Sequence, residues 1–485
     1  MRIAIVGTGY VGLTTGVALA YLGHDVTCVD VDQAKIALLR HGSIPFHEPN
    51  LPELFKVVHA RLAFTADNTE AGLASADVIF IAVGTPPMAD GGPNLSHVQA
   101  AARAIGEHLG EGFTVVVNKS TVPIGSGNWV GAIIREAFQA RNGHQPRGQF
   151  AVASNPEFLR EGSALHDSFY PDRIVIGAED QQALSVLTEL YRPILNQDFA
   201  APEFLPRPDG MVAVPMVTAD LASAELVKYA ANAFLALKIS YINEVARLAE
   251  RVGADIRQVA RGMGLDSRIG SRFLNAGVGW GGSCFGKDTS ALLSTAAEYG
   301  LSMPIVQSAR SINDGQRGWV VDRLLMELRI LKGRTICLLG LAFKPNTDDL
   351  RDSPAVEIAR LLQERGARVQ AYDPVAMDRA RREITEAQPQ LCASAMEAAT
   401  EADAVVLVTE WPEFRQLDWQ QLRRVVRIPL VIDGRNFLPD DELTAHGFRY
   451  VGVGRGGDFA GQAPQFPPQA ESDVAAVAQA GGAGS

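Results

Sequence analysis

Residues 3–12 read IAIVGTGYVG, a short apolar run that leads into three glycines spaced as G-x-G-x-x-G. The apolar run predicts a β-strand, and the pattern after the last glycine is typical of a helix. Gly7, Gly9 and Gly12 permit a tight turn and a close approach of the backbone to a pyrophosphate. The stretch therefore predicts a Rossmann-like dinucleotide-binding unit.

Asp30 ends the second predicted strand, 18 positions after Gly12 (30 minus 12). A carboxylate there can accept hydrogen bonds from the adenosine ribose hydroxyls and would repel the 2′-phosphate of NADP, so NAD is the favoured dinucleotide. Lys35 lies near enough in sequence to approach the same nucleotide, but a solvated surface lysine fits that position equally well. The alternative for the whole motif is a structural glycine turn in which Asp30 only ends a strand.

Apolar runs alternate with helical patterns in two separate blocks of the chain. In the first block the predicted strands are residues 3–6, 25–29, 77–83, 114–118 and 150–154. In the second block, which begins near Gly333, they are residues 335–339, 369–372, 404–409 and 430–433, and Ser353-Pro354 would start a helix. This alternation is typical of βαβ units, so we expect an α/β fold with two Rossmann-like, doubly wound parallel-sheet domains.

A long helix is predicted between the two blocks. Residues 220–252 contain no proline, and Asp220 and Gly253 suit the N-cap and the C-terminal stop. About 30 helical residues span about 45 Å, which exceeds the diameter of a single domain. We therefore expect this helix to connect two domains. Its apolar side chains favour a homodimer or a higher homo-oligomer, or else a core that bridges the domains. They are Leu226, Tyr229, Phe234, Leu237 and Tyr241.

The expected domains follow from these blocks. Residues 1–205 form the dinucleotide-binding domain, residues 206–314 a central helical domain, and residues 315–455 a second Rossmann-like domain. Residues 456–485 are rich in Pro, Gly, Ala and Gln and hold almost no branched apolar side chains. We therefore expect a disordered tail there.

Composition excludes several classes of function. The chain has 485 residues and a formal net charge of -11, which argues against sequence-independent nucleic-acid binding. No apolar run approaches the ~18 residues of a membrane span, and the first residues do not resemble a signal peptide, so we expect a soluble cytoplasmic protein. The four cysteines are widely scattered, which predicts reduced thiols and no metal site.

Residues 281–288, GGSCFGKD, bring a thiol, an ammonium group and a carboxylate close together in sequence. Lys287 would favour the thiolate of Cys284, and Asp288 would share the face of Cys284 in a helix. A nucleophilic thiol beside a dinucleotide predicts oxidation past an aldehyde, through a thioester, to a carboxylic acid. The alternative is an ordinary small buried cysteine.

Two further segments follow predicted strands at the edge of the first sheet where α/β folds bind ligands. They are VGTPP at residues 83–87, with Thr85 and Pro86, and KSTVP at residues 119–123, with Thr121. Turn chemistry alone explains their Gly and Pro residues, so a structural role and a functional role stay open.

Seven motifs in a fixed order resemble the UDP-glucose/GDP-mannose dehydrogenase family of nucleotide-sugar 6-dehydrogenases, over residues 1–455. They are GTGYVG (7–12), VGTPP (83–87), STVP (120–123), SNPEFLREG (154–162), ELVKYAANAF (225–234), GWGGSCFGKD (279–288) and LAFKPNTDDLRDSP (341–354). The GGSCF and KYAANAF segments look like the branch of this family that acts on UDP-glucose.

The resemblance implies that UDP-glucose is oxidised at C6 to UDP-glucuronate, with two NAD and one water consumed and no metal. Cys284 would carry a thiohemiacetal and then a thioester, which Glu157 would help water to hydrolyse. A water held by Lys228 and Asp288 would accept the hydroxyl proton. Lys228 and Asn232 are four positions apart, so they share one helix face and would stabilise the developing oxyanion.

The motifs and the resemblance together assign the binding residues. The expected cofactor-binding residues are Gly7, Gly9, Tyr10, Val11, Gly12, Asp30, Lys35, Thr85, Pro86, Thr121, Glu161, Lys287 and Arg351, and Thr121 is also expected to be catalytic. The expected substrate-binding residues are Glu157, Phe158, Leu159, Arg160, Lys228, Asn232, Arg268, Phe273, Asn275, Gly277, Gly281, Phe343, Lys344 and Arg435.

Three of these assignments carry specific expectations. The resemblance places Arg268 at the substrate of a neighbouring subunit. The glycine-rich loop of residues 275–281 would offer backbone amides to a diphosphate, unless it is a plain connector. Residues 340–343 lack the repeated glycines of a dinucleotide turn, so the second domain is expected to hold UDP, with Lys344 and Arg435 neutralising phosphate charge.

Other functions remain open from the sequence. A 6-dehydrogenase of another nucleotide sugar, such as GDP-mannose or a UDP-N-acetylhexosamine, shares most of these motifs. A two-electron dehydrogenase of the hydroxyacid type joins a dinucleotide domain to a long helix but needs no thiol. A non-enzymatic NAD-dependent sensor is the third alternative.

Overall fold

A computed structural model describes residues 1–88, 91–385 and 387–456. The strands are β1 Arg2–Val6, β2 Asp25–Val29, β3 Leu62–Thr65, β4 Val78–Ile81, β5 Thr114–Asn118, β6 Phe150–Ser154, β7 Ile174–Ala178, β8 Met216–Ala219, β9 Thr335–Leu339, β10 Arg368–Tyr372, β11 Gln390–Leu391, β12 Ala404–Leu407, β13 Leu430–Asp433 and β14 Arg449–Gly452.

The helices lie between these strands and in the middle region. They are α1 Tyr10–Tyr21, α2 Gln33–Arg40, α3 Leu51–Val58, α4 Ser96–His108, α5 Ser126–Asn142, α6 Ala164–Phe169, α7 Gln181–Asn196, α8 Leu221–Val252, α9 Ile256–Gly264, α10 Phe285–Glu298, α11 Pro304–Leu328, α12 Pro354–Glu364, α13 Met377–Glu383, α14 Ala395–Ala399, α15 Pro412–Arg415, α16 Trp419–Val425 and α17 Asp440–Ala445. Two short 3-10 helices, His59–Arg61 and Leu73–Ser75, precede β3 and β4.

The first sheet has the strand order β3-β2-β1-β4-β5-β6-β7-β8 among the described residues. β1 pairs in parallel with both β2 and β4, so the chain winds outward from β1 in both directions, and β6–β7 is the antiparallel pair. Strands β4 and β5 are buried over their whole length because helices cover both faces of the sheet. The carboxyl ends of β1, β4 and β5 meet at one edge, where such folds bind ligands.

The second sheet is parallel throughout, in the order β11-β10-β9-β12-β13-β14. Ser353 caps α12 by accepting a hydrogen bond from the backbone N–H of Ala355, and Pro354 occupies the first turn. The predicted α/β class, with two doubly wound and largely parallel sheets, is confirmed.

Five strands escaped prediction from the sequence: β3, β7, β8, β11 and β14. Strand β11 has only two residues and β8 is half-exposed at the sheet edge, so neither shows a clear periodicity. In β7 the apolar run is broken by Gly177, which has a packing cause. A Cβ on Gly177 would lie 2.6 Å from the Cβ of Ala224 and 2.7 Å from the carbonyl oxygen of Asp220, so α8 packs directly on this glycine.

The long helix predicted between the blocks is α8, with 32 residues. Asp220 accepts a hydrogen bond from the backbone N–H of Ser223, and Gly253 ends the helix at a φ of 79°. The helix packs on β6 and β7 of the first sheet and on α10 and α11 of the middle region. It therefore runs from one sheet towards the other, as predicted.

The apolar side chains of α8 divide into two groups. Phe234, Tyr241 and Leu226 are 61%, 47% and 43% exposed. Tyr229 was expected on the same apolar surface, but this is wrong, because its side chain is buried within the chain against α10.

The far end of α8 is held by Glu250, a buried carboxylate. Its Oε1 accepts hydrogen bonds from the indole N–H of Trp319 and from the backbone N–H of Gly454, each at 2.9 Å, and Arg323 pairs with its other oxygen. These bonds join α8 to α11 and to the segment after β14.

The segment predicted to be a disordered tail begins at residue 456. Gly456 donates a backbone hydrogen bond to Ala254 at 2.9 Å, and residues 457–485 lie outside the described residues. No helix among the described residues combines the length and the apolarity needed to cross a membrane.

Glu250→Ala is expected to lower the free energy of unfolding by about 3 kcal/mol, because it leaves a buried indole N–H and an amide N–H without their acceptor and removes an ion pair. Urea titration followed by circular dichroism measures this loss. Glu298→Ala, at an exposed position near the end of α10, is the control and should change stability by less than about 0.5 kcal/mol. Equal effects of the two substitutions would contradict the assigned role of Glu250.

Candidate active site

The glycine turn between β1 and α1 forms a cradle for a pyrophosphate. A Cβ on Gly7, whose φ is +103°, would lie 2.6 Å from the carbonyl oxygen of Ala82, and a Cβ on Gly12 would lie 1.9 Å from that of Gly7. Both positions therefore require glycine. A Cβ on Gly9 would meet nothing within 4 Å, so open space lies at the amino end of α1, where helices bind phosphate. These residues fit NAD.

Two further expected NAD contacts lie in the first turn of α1. Tyr10 and Val11 are both half-buried. The hydroxyl of Tyr10 accepts a hydrogen bond at 2.8 Å from the backbone N–H of Gly162, in the loop after β6. The turn is thus tied to a second loop at the same sheet edge.

Asp30 lies at the carboxyl end of β2 beside this turn. Its Oδ2 accepts hydrogen bonds from the N and Oγ1 atoms of Thr8 at 2.9 and 2.7 Å, and from Lys35 Nζ at 2.9 Å. Burial alone would raise the pKa of Asp30, but the hydrogen bonds from Lys35 and Thr8 outweigh burial and hold it below its ordinary value. Asp30 is therefore an anion at neutral pH, and Lys35 is its ion-pair partner.

The loops after β4 and β5 are joined at the same edge. Thr85 Oγ1 donates to the carbonyl oxygen of Thr121 at 2.9 Å, and Ser120 Oγ donates to that of Val83 at 2.8 Å. Thr121 is half-buried and Pro86 is exposed. The expected NAD residues of both loops therefore lie beside the glycine turn.

Cys284 occupies the N-cap position of α10, and the second domain holds the turn in front of it. Gly282 has a φ of +85°, and a Cβ there would lie 2.6 Å from the ring of Phe343. The backbone N–H of Gly282 donates to the carbonyl oxygen of Arg351 at 3.0 Å. The thiol is therefore placed by contacts from both the central helices and the second sheet.

A buried ion pair joins Lys228 of α8 to Glu157, in the loop after β6. Lys228 Nζ donates to Oε1 of Glu157 at 2.8 Å and to its carbonyl oxygen at 2.7 Å, and the two side chains are 6% and 8% exposed. Burial alone would lower the pKa of Lys228. The charges of Glu157 and Asp288 outweigh burial, so the pKa of Lys228 is raised and it stays an ammonium group.

Asp288 is 1% exposed and lies one helical turn after Cys284. Its Oδ2 accepts a hydrogen bond from Asn232 Nδ2 at 2.6 Å, and its Oδ1 accepts one from Lys287 Nζ at 2.8 Å. Asn232 follows Lys228 by one turn of α8. The ammonium group of Lys228 and the amide of Asn232 therefore lie on the same face of α8, and the amide bonds Asp288.

The surroundings of Cys284 disfavour its thiolate. Burial raises its pKa, Glu157 and Asp288 raise it further, and Lys228 lowers it, so the pKa lies above the ordinary value. Lys287 was expected to favour the thiolate; its ammonium group donates to Asp288 at 2.8 Å, and its effect on the thiol stays a prediction. Addition of Cys284 to a carbonyl therefore requires a base that takes the thiol proton.

Arg351 bridges the loop after β6 and the second domain. Its Nη2 lies 3.1 Å from Oε1 of Glu161 and 2.6 Å from Oδ2 of Asp349, and Ser283 Oγ donates to the same oxygen of Glu161 at 3.3 Å. Burial and the charge of Asp349 raise the pKa of Glu161 to about 7. Glu161 and Arg351 therefore adjoin the thiol loop.

The second domain contributes two cations near this cleft. Burial lowers the pKa of Lys344, while Glu161 raises it, and Lys344 lies beside Phe343 with its Nζ 5.4 Å from the ring centroid. Arg435 donates to the carbonyl oxygens of Val408 and Gly279 at 2.8 and 3.0 Å. Arg435 thus holds the glycine-rich loop, and its guanidinium also forms an ion pair with Glu410 at 3.2 Å.

Three consecutive residues after Glu157 make different contacts. The Arg173 guanidinium carbon lies 3.7 Å from the ring centroid of Phe158, and Leu159 donates its backbone N–H to Oε2 of Glu157 at 2.9 Å. Arg160 is exposed and forms an ion pair with Asp167 at 2.6 Å. Phe158 and Leu159 therefore lie at the ion pair, and Arg160 is turned to the surface.

Three backbone amides of the glycine-rich loop of residues 275–281 are bonded within the chain. Gly277, Val278 and Trp280 donate theirs to Asn243, Gly434 and Asn313. The diphosphate prediction is wrong for these amides, because acceptors from distant helices and loops already occupy them.

Three other residues expected to bind substrate lie in or near this loop. Gly281 is buried against the carbonyl oxygen of Asp352, and Asn275 is exposed. Phe273 is half-buried, and its ring centroid lies 6.3 Å from that of Phe285.

Arg268 lies away from the site in its own chain. It follows α9, its side chain is 87% exposed, and it pairs with Asp266 at 2.6 Å. The contacts within one chain therefore do not bring it to Cys284.

Two buried glutamates that sequence reasoning missed hold the loops of the site. Glu48 accepts two backbone N–H groups of the loop after β6 at 2.7 Å each, and Glu225 accepts two at the amino end of α5 at 2.6 and 2.8 Å. Glu225 stands one turn before Lys228, which was an available signal. No sequence pattern around Glu48 indicates that it holds this loop. Lys119, also missed, is buried beneath the loop after β5.

The fold and the site define a class of protein: a dehydrogenase with a dinucleotide turn on one parallel sheet and its reactive side chains between that sheet and a second one. The chain belongs to the UDP-glucose/GDP-mannose dehydrogenase family. Residues 1–195 match the NAD binding domain of this family, residues 222–315 its central domain and residues 337–440 its UDP binding domain. NAD is therefore the cofactor of the first domain.

Individual relatives agree with the family match. The chain is 48% identical over 463 residues to the UDP-glucose 6-dehydrogenase of Rhizobium meliloti (strain 1021), covering 94% of this chain and 100% of the relative. A UDP-glucose dehydrogenase structure from Pyrobaculum islandicum superposes with a TM-score of 0.82 at 41% identity, covering 93% and 97%. A UDP-D-ManNAc dehydrogenase structure from Pyrococcus horikoshii gives 0.78 at 27% identity, covering 94% and 100%.

Glu157→Gln is expected to speed alkylation of Cys284 by iodoacetamide at pH 8 by about three- to tenfold, because loss of the carboxylate lowers the pKa of the thiol. Lys228→Met should slow it by a similar factor. Intact-mass spectrometry measures the rates, and Cys284→Ser is the control that should stay unlabelled, because the other cysteines are buried. Equal rates in both variants would show that neither charge acts on the thiol.

Proposed function

We propose that the chain oxidises UDP-glucose twice at C6 and releases UDP-glucuronate, with two NAD and one water consumed per sugar. The observation that carries the proposal is the arrangement of Lys228, Glu157, Asn232 and Asp288 around Cys284. A two-electron dehydrogenase needs no thiol, and a sensor needs neither a buried ion pair nor a nucleophile.

The first oxidation uses the ammonium group and the amide of α8. NAD, when bound, accepts the hydride in each of the two oxidations. Lys228 and Asp288 hold the water that takes the proton of the C6 hydroxyl. Lys228 and Asn232 stabilise the C6 oxygen, on which negative charge develops. The product of this step is the C6 aldehyde.

The second oxidation begins when Sγ of Cys284 adds to the aldehyde carbon. The thiol proton passes to the carbonyl oxygen by way of the water held by Lys228 and Asp288, so this oxygen becomes the hydroxyl of a thiohemiacetal. Loss of a second hydride and of the hydroxyl proton leaves a thioester on Cys284. Glu157 then takes a proton from water as the water oxygen bonds to the thioester carbon, and the sulfur departs and is reprotonated.

The remaining expected residues have supporting positions. The glycine turn is proposed to hold NAD together with Asp30, Lys35, Thr85, Pro86 and Thr121. On the side of the thiol, the proposed NAD contacts are Glu161, Lys287 and Arg351. Phe343, Lys344 and Arg435 are proposed to hold the UDP half from the second domain, where the two cations balance phosphate charge. Phe158 and Leu159 would lie along the sugar.

UDP-glucose is favoured over the other nucleotide sugars. The relatives of highest identity reported above carry UDP-glucose in their names, at 41% to 48% identity, against 27% for the UDP-D-ManNAc dehydrogenase. A UDP-N-acetylhexosamine and GDP-mannose are the substrates that a specificity assay must compare.

The proposed assembly is a homodimer or a higher oligomer formed through α8. Phe234 and Tyr241 are exposed on this helix, and an apolar groove beside them is lined by Leu237, Ile305 and Ile312. Burial of this surface against a second copy would remove it from water. Arg268 is proposed to reach the substrate of that second copy, in agreement with its exposure.

The domain division is proposed as 1–205, 206–314 and 315–455, which separates the two sheets from the helical middle region. A cytoplasmic location is proposed because NAD and nucleotide sugars are the expected reactants.

Wild-type protein given UDP-glucose is expected to form two NADH per sugar consumed, measured by absorbance at 340 nm against chromatographic quantification of UDP-glucuronate. Cys284→Ser should form no acid, because no thioester can be made, and its turnover should fall by more than about a thousandfold. One NADH per sugar, or unchanged turnover of the variant, would favour a two-electron dehydrogenase. UDP-galactose, GDP-mannose and UDP-N-acetylglucosamine are the comparison substrates.

Arg268→Ala is expected to abolish activity in a pure sample. Mixed and reassembled with equal Cys284→Ser protein, it should regain about a quarter of wild-type activity, because half the dimers then contain one complete site built from both chains. The assay is NADH formation after dissociation and reassociation. No recovery, with dimers shown by analytical ultracentrifugation, would place Arg268 in the site of its own chain.

A further inference from the structure

We propose that the hydroxyl of Ser283 delivers the proton that the sulfur of Cys284 takes when the thioester is hydrolysed, and that Glu161 supplies this proton to Ser283. The inference rests on the proposed function, because it concerns the hydrolysis step. In that step the sulfur departs and is reprotonated, and no residue of the proposed mechanism gives it a proton. Ser283 itself was not among the residues expected from the sequence to act in the site.

The side chain of Ser283 lies between the reacting sulfur and a carboxyl group. Its Oγ is 3.7 Å from Sγ of Cys284, in a hydrogen bond for which either atom can be the donor, and it donates to Oε1 of Glu161 at 3.3 Å. A hydroxyl group both donates and accepts, so it can pass a proton in either direction. The three side chains therefore form a continuous chain of hydrogen bonds that ends at the sulfur.

The sulfur of Cys284 departs with difficulty as a thiolate. Burial is the largest cause that raises the pKa of this thiol, and the charges of Glu157 and Asp288 raise it further. Lys228 lowers it, but its ammonium group donates to two oxygen atoms of Glu157. A proton donor in direct contact with Sγ avoids the thiolate, because the proton reaches the sulfur as the carbon–sulfur bond breaks.

Glu161 is suited to supply the proton. Its Oε1 and Oδ2 of Asp349 lie 3.1 and 2.6 Å from the same nitrogen atom of Arg351, and two carboxylates that share one cation oppose each other's ionisation. Burial and the charge of Asp349 raise the pKa of Glu161 to about 7, while Arg351 and Lys344 lower it. Glu161 can therefore carry a proton at neutral pH, and the hydroxyl of Ser283 is its neighbour on the side of the sulfur.

The far end of this chain of hydrogen bonds reaches the edge of the cleft. The side chain of Glu161 is 11% exposed, and that of its partner Arg351 is 54% exposed. Solvent can therefore return a proton to Glu161 after each turnover.

The proposed step balances. Glu157 takes one proton of the attacking water, the water oxygen bonds to the thioester carbon, and the carbon–sulfur bond breaks. Sγ of Cys284 takes the hydroxyl proton of Ser283, and Ser283 takes the proton of Glu161. The acid product, a thiol, an unchanged hydroxyl group and the Glu161 carboxylate remain. Glu157 then releases its proton to solvent and Glu161 regains one, so the net change is hydrolysis of the thioester.

The test is a single turnover in which formation and loss of the covalent adduct on Cys284 are timed separately. Full-length enzyme is mixed with limiting UDP-glucose and excess NAD, quenched in acid and analysed by intact mass. Ser283→Ala is expected to slow loss of the adduct by about a hundredfold and to change its formation by less than about threefold, because the sulfur departs only after both hydride transfers. Ser283→Thr keeps the hydroxyl group and should lose the adduct within about threefold of the wild-type rate.

Glu161→Gln tests the source of the proton. A carboxamide is not an acid, so this variant should also slow loss of the adduct by at least about tenfold. The double variant should be no slower than Ser283→Ala alone, because both substitutions interrupt the same chain of hydrogen bonds. Multiplied effects in the double variant would overturn the role of Glu161.

Two results would overturn the role of Ser283. Loss of the adduct at the wild-type rate in Ser283→Ala would show that the hydroxyl carries no proton. Equal slowing of formation and loss, in variants shown to be folded by thermal unfolding, would show that Ser283 only places the cysteine. Wild-type protein that forms the adduct and two NADH per sugar in the same experiment separates these failures from failure of the proposed function.

Discussion

The ion pair between Lys228 and Glu157 is the interaction on which the rest of the site depends. An ammonium group with so little exposure is costly unless it is paired, and removal of one partner from such a pair typically costs about 3 to 5 kcal/mol. Here the same ammonium also bonds the carbonyl oxygen of Glu157. The pair therefore fixes the loop after β6 to α8, and it joins the dinucleotide sheet to the central helices.

A second constraint comes from the contacts that hold the thiol loop. Gly282 bonds the backbone of the second domain and lies under the ring of Phe343, and Arg435 bonds the carbonyl oxygen of Gly279. The proposed nucleophile Cys284 and the residues proposed to hold UDP are thus linked by direct contacts. Glu157, whose charge raises the pKa of the thiol, lies in the loop after β6, so the position of the first sheet affects the electrostatics of Cys284.

Much of the fold could be predicted because its determinants are local. The glycine turn at residues 7–12, the caps of α8 at Asp220 and Gly253, and the Ser353-Pro354 start of α12 each lie within a few residues of the element that they define. Gly177 could not be interpreted in this way, because its need for a bare backbone comes from α8, more than 40 residues away in sequence. The strands at the sheet edges were not predicted, because they are too short to show an alternation of apolar and polar side chains.

The sequence predicted which side chains share one face of a helix, but it did not predict how charged groups affect the thiol. Spacing placed Lys228 and Asn232 on one face of a helix, and the structure has them there. The effect of Lys287 on the thiol could not be inferred, since it depends on which acceptor its ammonium finds. The same holds for the amides of Gly277 and Trp280 in the glycine-rich loop, because their acceptors, Asn243 and Asn313, come from α8 and α11 and are not evident in the local sequence.

The close contact between Gly282 and Phe343 has a pharmacological consequence. A flat compound that moves this aromatic ring away from the glycine would also move the adjoining sulfur. Because Phe343 is proposed to hold the UDP half of the substrate as well, such a molecule would act as a competitive inhibitor whose potency falls as the cell raises its nucleotide-sugar pool.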